Sequence, residues 1–285
     1  MSGACSPALD QAMEAPTSSR RVWRLRAGAW MQADDELAEE VPVALEYNGV
    51  SHAVMMATPS DLEQFALGFS LSEGIITSVR DFYGAEVEPG CNGITVHIDI
   101  ASAAFAKLKD RRRSLTGRTG CGVCGVDSLD QALRPLAPLT GQDSDPPLTA
   151  SAIRRALAGV KQLQPLNRIT GATHAAMWCD ASGAPYSAFE DVGRHNALDK
   201  LIGSLARARQ DGPALPAGGF ALITSRASVE MVQKAATARI AALVAISAPT
   251  ALAVRTAQQC GMTLVAFARG DEFVAYANGH NIELD

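Results

Sequence analysis

The sequence has few aromatic residues, few charges and no long apolar run. Of its 285 residues, 5% are aromatic and 19% are charged, and the formal net charge is −5. A chain without a basic excess gives no reason to expect nucleic-acid binding. The apolar run AALVAI at 241–246 is too short to cross a bilayer, and residues 1–21 contain no run of signal-peptide length. We therefore expect a cytoplasmic globular protein without a membrane or nucleic-acid partner.

The cysteines lack a second close pair to accompany Cys121 and Cys124. This pair lies in the glycine-rich stretch TGRTGCGVCGVDSL at 116–129, while the remaining cysteines and the five histidines are scattered. A structural zinc ion usually takes four ligands from two closely spaced pairs. A zinc deaminase needs an upstream His-x-Glu and a proline before its first cysteine, and both are missing from this sequence. We therefore expect no structural metal.

Several roles stay open for Cys121 and Cys124. They could form a dithiol and disulfide couple, carry sulfur as a persulfide, or simply occur in a flexible basic loop. The surrounding glycines give the backbone a freedom that a fixed thioredoxin-like geometry does not need. Arg118 and the run Arg111–Arg113 would favour a thiolate and an anionic persulfide. This charge pattern favours a local anion site over a solvated helix face.

Local patterns predict two elements near the N-terminus. Asn48-Gly49, between two apolar alternating runs, is a strong signal for a type I′ hairpin. Ser60, followed three residues later by Glu63, predicts a capping box at the start of a helix that ends near Gly74.

The chain divides into parts of different pattern. Residues 1–20 are predicted to be a disordered tail, and 21–133 a smaller N-terminal α+β part with a flexible cysteine loop at about 112–126. The proline-rich stretch 134–148 predicts a linker. Residues 149–285 alternate between strand and helix patterns with short unbroken apolar runs, which predicts an α/β domain whose sheet is covered on both faces.

Polar residues follow the strands of this α/β part where helices begin. Helix N-termini attract phosphate, and strand-to-helix turns of one sheet meet at the same edge. These polar turns therefore predict a groove for an anionic ligand. Helix capping is the alternative explanation of the same pattern. A further turn, Arg269-Gly270, ends the strand TLVAF and could bind phosphate through a guanidinium and a close backbone, or could be a solvated turn. The candidates in the strand-to-helix turns are Arg194, His195, Asn196, Ser225 and Arg226.

Six stretches together resemble the formate dehydrogenase accessory sulfurtransferases, and they run in order from about residue 40 to the C-terminus. The resemblance implies an α/β fold with a three-layer mixed sheet similar to that of cytidine deaminase, and a homodimer. The stretches are TPSDLEQFALGFSLSEGII (58–76), TGCGVCGVDSL (119–129), FEDVGRHNALDKLIG (189–203), SRASVEMVQK (225–234), ISAPTALAV (246–254) and FARGDEF (267–273).

The same resemblance implies a function and site residues. Members take sulfur from a cysteine desulfurase as a persulfide and deliver it to the molybdenum bis(molybdopterin guanine dinucleotide) cofactor of formate dehydrogenase, so GDP-like nucleotides should also bind. Cys121 matches the persulfide-bearing cysteine, and Cys124 the second of the pair. The alternative is a non-catalytic chaperone that binds the cofactor and uses its cysteines as a redox latch. The cofactor-binding segment of the family corresponds to Phe267, Ala268, Arg269, Gly270, Asp271 and Glu272.

Overall fold

The computed structural model describes residues 15–115, 135–139, 147–211 and 218–284. Most of the cysteine loop predicted at about 112–126, including Cys121 and Cys124, lies outside these ranges, and its first residues, 112–115, belong to a helix. Within the described ranges, no helix is both long enough and apolar enough to span a membrane.

The described chain opens with an antiparallel hairpin of β1 (Thr17–Arg26) and β2 (Ala29–Ala38). Ala27 and Gly28 form its turn with φ values of 51° and 81°. The sequence assigned residues 17–20 to a disordered tail, and this is wrong, because they pair in register with Leu37, Ala38 and their neighbours.

A four-stranded sheet follows, in the order β4-β3-β6-β5, made of β3 (Val41–Tyr47), β4 (Val50–Ala57), β5 (Phe82–Gly90) and β6 (Gly93–Ile100). Helix α1 (Leu62–Ser72) lies between β4 and β5, a 3₁₀ turn (Val79–Asp81) precedes β5, and α2 (Ser102–Leu115) follows β6. The predicted hairpin at Asn48-Gly49 is confirmed, since both residues have the positive φ of a type I′ turn, 46° and 78°.

The predicted capping box at the start of α1 is wrong. Ser60 donates its N–H to the carbonyl of Thr58, and Asp61 then adopts a left-handed conformation with φ 54°. The helix therefore begins one residue later than a Ser60 cap requires, and Asp61 makes no side-chain capping hydrogen bond.

The C-terminal part starts with β7 (Leu148–Thr149), α3 (Ala150–Gly159), a 3₁₀ turn (Val160–Leu163) and α4 (Pro165–Thr170). Strands and helices then alternate. They are β8 (His174–Cys179), β9 (Pro185–Asp191), α5 (Arg194–Asp211), β10 (Phe220–Ile223), α6 (Val229–Thr237), β11 (Ala242–Ala245), α7 (Ala251–Cys260), β12 (Thr263–Arg269), β13 (Glu272–Ala277), a 3₁₀ turn (Gly279–Asn281) and β14 (Ile282–Glu283).

These strands form a mixed six-stranded sheet in the order β13-β12-β11-β10-β8-β9, while β14 pairs with β7. Strands β10, β11 and β12 are parallel, and the outer strands run antiparallel to their neighbours. Alternate strand residues pack against α5, α6 and α7 on one face and against α3 on the other. The predicted α/β class with a mixed sheet is thus confirmed, whereas the likeness to cytidine deaminase stays a prediction.

Helices α1 and α5 join the two larger sheets by a very close crossing. A Cβ atom built on Gly68 would collide with the carbonyl oxygen of Asp199, and one on Gly203 with that of Gln64. Ala206 of α5 also belongs to the core of the four-stranded sheet. The N-terminal and C-terminal parts therefore share packed surface along these helices.

The predicted linker at 134–148 contains residues that pack. Leu139 is buried against the helical face of the six-stranded sheet, and its N–H donates to the carbonyl of Cys260. The division of the chain into two domains at this stretch stays a prediction.

Candidate functional site

The predicted strand-to-helix turns lie side by side at one edge of the six-stranded sheet. The parallel strands β10, β11 and β12 end there, and β9 also ends there while β8 begins, because these two run in alternating directions. Backbone hydrogen bonds join the turns to one another. They run from Ala227 N to Ala248 O (3.2 Å), from Thr250 N to Ala227 O (3.0 Å) and from Phe267 N to Ser247 O (3.2 Å).

The turn from β12 to β13 forms one end of this edge. Gly270 has φ 59°, and Arg269 donates its Nε to the carbonyl of Ile246 at 3.2 Å while its side chain stays exposed. Phe267 adopts φ 51°, which is strained for a residue with a bulky side chain, and is 44% exposed, with its ring centroid 6.4 Å from that of Tyr276. The turn therefore presents an aromatic face beside a guanidinium.

The turn from β10 to α6 supplies the next predicted residues. Ser225 is buried, and its hydroxyl donates to the backbone carbonyl of Arg226 at 3.2 Å. Arg226 is exposed. Of this predicted pair, Arg226 is the side chain that faces solvent at the edge.

The start of α5 places Arg194 and His195 at the same edge. Burial, with the nearby charges of Arg194 and Lys234, lowers the pKa of His195 to about 4, although Glu230 acts in the opposite direction. His195 is therefore neutral at pH 7. Its Nε2 atom and the Nε of Arg194 are buried without a hydrogen-bond partner among the described residues.

Asn196, predicted to contact a ligand, has an internal position instead. Its side chain is 2% exposed, and its amide donates to the carbonyl of Met56 at 2.8 Å and to Asp191 Oδ1 at 3.0 Å. Asp191 also accepts from the backbone N–H of Thr58 and lies 2.7 Å from Lys200 Nζ, with both side chains fully buried. We therefore assign Asn196 a structural role in joining β4 to the turn that begins α5.

A second buried charge cluster lies beneath the edge, between α1, α5 and α6. Lys234 Nζ lies 2.8 Å from Asp199 Oδ2 and 2.7 Å from Glu73 Oε1, and donates to the Ser72 hydroxyl at 3.0 Å. Burial alone would lower the pKa of Lys234, but the two carboxylates outweigh it and raise this pKa. This cluster was not predicted from the sequence, although a lysine and an aspartate at apolar helix positions are a recognisable signal.

The described cysteines are not suited to carrying sulfur. Cys179 and Cys260 are buried free thiols, and burial raises the pKa of Cys179 to about 12. Cys91 is disulfide-bonded. Since the thiolate is the reactive form, neither buried thiol is a competent nucleophile.

The edge therefore combines the guanidinium groups of Arg194, Arg226 and Arg269 with a neutral histidine and an exposed aromatic ring. Guanidinium groups bind phosphate through paired hydrogen bonds, and aromatic rings stack on bases. The residues present fit a nucleotide that carries several phosphates. Within the described ranges, no group of three or more His, Cys, Asp or Glu side chains is arranged to hold a metal ion.

Comparisons with known proteins agree on one group. The FdhD/NarQ family model matches residues 38–283. The chain is 52% identical over 278 residues to the sulfur carrier protein FdhD of Cupriavidus necator, covering 97% of this chain and 94% of that protein. It is also 52% identical over 245 residues to the protein of the same name from Variovorax paradoxus, with 86% and 85% covered. These matches span both larger sheets and the whole polar edge.

The fold has a counterpart of known structure. The crystal structure of a protein from Desulfotalea psychrophila, assigned as a formate dehydrogenase accessory protein, superposes with a TM-score of 0.71 at 23% identity. The match covers 94% of this chain and 100% of the other. At this level of identity the likeness concerns the fold.

Proposed function

The chain belongs to the FdhD/NarQ family, and on this premise we propose that it is a sulfur carrier for the maturation of formate dehydrogenase. Its relatives of about 50% identity carry the name sulfur carrier protein. The structural observation that supports this function most directly is the gathering of Arg194, Arg226 and Arg269 at one sheet edge.

The edge is proposed to hold the molybdenum bis(molybdopterin guanine dinucleotide) cofactor as a substrate. The two pyrophosphates of this molecule carry negative charge that the three guanidinium groups would neutralise. Phe267 offers a face for stacking a guanine, and Gly270 lets the backbone approach a phosphate closely. Asp271 and Glu272 complete the segment that the family resemblance assigns to the cofactor.

Sulfur transfer is proposed to take place on Cys121. Its thiolate attacks the terminal sulfur of a cysteine desulfurase persulfide, the S–S bond of that persulfide breaks, and the desulfurase cysteine leaves as a thiolate. Cys121 then carries the sulfane sulfur as its own persulfide. Delivery of this sulfur as a sulfide ligand consumes two electrons, so a thiol reductant takes part in the second transfer.

The partners follow from these steps. A cysteine desulfurase supplies the sulfur, and formate dehydrogenase receives the sulfurated cofactor, both in the cytoplasm. We also propose that the protein acts as a homodimer, since a cofactor with two guanine dinucleotide arms is matched by two copies of one nucleotide site.

Intact-protein mass spectrometry tests the sulfur-carrying step. After incubation with an active cysteine desulfurase and cysteine, the wild type should gain the mass of one sulfur atom, and a reductant should remove it. Cys121→Ala should gain none, because the accepting thiolate is gone. Cys179→Ala is the matched control and should load like the wild type, since that thiol is buried and protonated.

The alternative of a non-catalytic chaperone makes the opposite prediction for the same samples. If freshly reduced wild type gained no sulfur from an active desulfurase, the carrier function would be wrong and the chaperone would take its place. The Cys124→Ala protein, run alongside, reports whether the second cysteine is needed for loading.

Binding of GDP to the edge is a second, independent test. Arg226→Gln should raise the GDP dissociation constant at least about tenfold, because hydrogen bonds to charged groups contribute roughly 1.5–3 kcal/mol. The measurement is isothermal titration calorimetry. Arg80→Gln, an exposed arginine in the 3₁₀ turn before β5 of the four-stranded sheet, should bind GDP like the wild type. Equal affinity of all three proteins for GDP would show that this edge does not bind the nucleotide.

A further inference from the structure

The hairpin of β1 and β2, Thr17–Ala38, forms an arm that packs little against the rest of the described chain. None of its residues belongs to the hydrophobic clusters of the described chain, and every residue from Trp23 to Gln32 is exposed. Its principal contact with another element is that between β2 and α4. Because a two-stranded hairpin alone is marginally stable in water, we expect another surface to pack against the arm.

Near its tip, one face of the arm carries three large apolar side chains, while Met31 and Leu37 belong to the other face. The register places Leu25 opposite Trp30 and Trp23 opposite Gln32, so these residues share a face near the tip. Trp23, Leu25 and Trp30 are 64%, 57% and 65% exposed. Exposed patches of this kind mark interaction sites, and tryptophan is the residue type most enriched at the energetic centres of interfaces.

A groove of about 450 Å³ lies between α4 and β9 and offers a matching surface. Its walls include Leu166, Tyr186 and Phe189, and the exposed carboxylate of Asp61 lies at its lining. Since the tip residues are exposed, they do not fill the groove of their own chain.

We propose that the arm packs against a second copy of this chain and inserts Trp23, Leu25 and Trp30 into the α4–β9 groove of that copy. The base of the arm contacts α4, which forms one wall of the groove, so the arm leaves the molecule beside it. With a two-fold axis next to α4, each arm fills the groove of the other copy, which gives the closed, symmetric contact of a dimer. The arm lies almost entirely before residue 38, where the family match begins.

The area involved suits a stable dimer. Aromatic side chains bury on the order of 150–250 Å² each, so two arms with two tryptophans each, and the groove surface they cover, bury roughly 1,200–2,000 Å² in total. This is the range of specific protein interfaces. The inference rests on the homodimer proposed above and is independent of sulfur transfer.

Sedimentation velocity of the full chain tests the inference. The wild type should be a dimer, and the double variant Trp23→Ser/Trp30→Ser should raise the dimer dissociation constant at least about a hundredfold, as loss of central interface tryptophans does. Tyr83→Ser removes an aromatic side chain of similar exposure, 70%, from β5 and should stay dimeric. Both variants should still take up sulfur, which keeps this test separate from that of the carrier function.

The outcomes separate the two proposals. A monomeric wild type would overturn the homodimer and with it the arm exchange. A dimeric Trp23→Ser/Trp30→Ser protein would overturn the arm exchange alone.

A photo-cross-link then locates the arm directly. A benzoylphenylalanine at position 30, in a mixture of isotopically light and heavy chains, should join light to heavy chains at peptides of α4 and β9. Cross-links confined to one copy, or to peptides outside the groove, would contradict the inference.

Discussion

His195 and His97 lie in opposite electrostatic surroundings, and the difference is set by single neighbours. Burial beside Arg194 and Lys234 lowers the pKa of His195, whereas the hydrogen bond to Glu88, supported by Glu46, raises the pKa of the exposed His97. His97 Nε2 lies 2.8 Å from Glu88 Oε2. At the residue scale, the histidine at the polar edge is therefore the uncharged one.

The low pKa of His195 predicts a pH dependence of stability. The unfolded imidazole titrates near 6.5 and the folded one near 4, so between these values the unfolded state binds more protons. The free energy of unfolding is therefore unaffected by the titration of His195 above about pH 6.5 and decreases as the pH drops towards 4. His195→Asn should therefore lose less stability than the wild type between pH 7 and pH 5 in urea denaturation. His280→Asn is the surface control and should follow the wild type.

At the residue scale, the strand-to-helix pattern locates exposed groups but does not reveal which polar side chains are bonded internally. Arg226 and Arg269 follow strands in a pattern that places them at the sheet edge, and the structure places them there. Asn196 has the same residue chemistry in the same kind of turn, yet its amide is bonded internally. What separates the two cases is a partner, Met56, from a distant strand, which local spacing does not reveal.

Close approach of α1 and α5 depends on two glycines. Gly68→Ala places a methyl group against the backbone of Asp199, which cannot yield without moving the helix. We expect a loss of about 1–3 kcal/mol, as overpacked cores show, measured by chemical denaturation. Gly159→Ala at the end of α3 meets no atom within 4 Å and should be neutral or slightly stabilising. Equal stability of the two variants would show that the helix crossing yields freely.

At the element scale, the hairpin predicted from its turn residues was confirmed, whereas the helix start predicted from a capping box was wrong. Asn48-Gly49 specifies its hairpin because both residues accept positive φ without help from elsewhere. The capping box at Ser60 failed because the chain bends at Asp61 before the helix begins. Strands β1 and β2 were missed because β1 contains the adjacent pair Arg20–Arg21 and β2 the acidic run Asp34, Asp35 and Glu36, so neither shows the regular alternation of a half-buried strand.

Protection from solvent should differ sharply across the whole molecule. Every residue of β10 and β11 is buried in the centre of the six-stranded sheet, whereas the tip of the arm is exposed throughout. Hydrogen-exchange mass spectrometry should therefore find the slowest amides in β10 and β11. Amides of the arm should exchange quickly at low protein concentration and more slowly at high concentration, where the proposed dimer forms. Uniform exchange across these segments would contradict this distribution.

The order of strands and helices in the C-terminal part was accessible from the sequence because short apolar runs alternate with amphipathic ones. The association of the two sheets was not, because it depends on the Gly68–Gly203 crossing and on the Lys234–Glu73 ion pair, which join segments far apart in the chain. Residues 135–139 illustrate the same limit, since their prolines suggested a linker while Leu139 packs into a core.

The backbone hydrogen bonds that tie the turns after β10, β11 and β12 together have a kinetic consequence. If this edge binds a nucleotide as proposed, its neighbouring turns are already joined and have little rearrangement to complete when the nucleotide arrives. Association should then follow a single exponential whose observed rate rises linearly with nucleotide concentration, without the plateau of a slow conformational step. Selectivity among nucleotides would in that case reside in how long each stays bound.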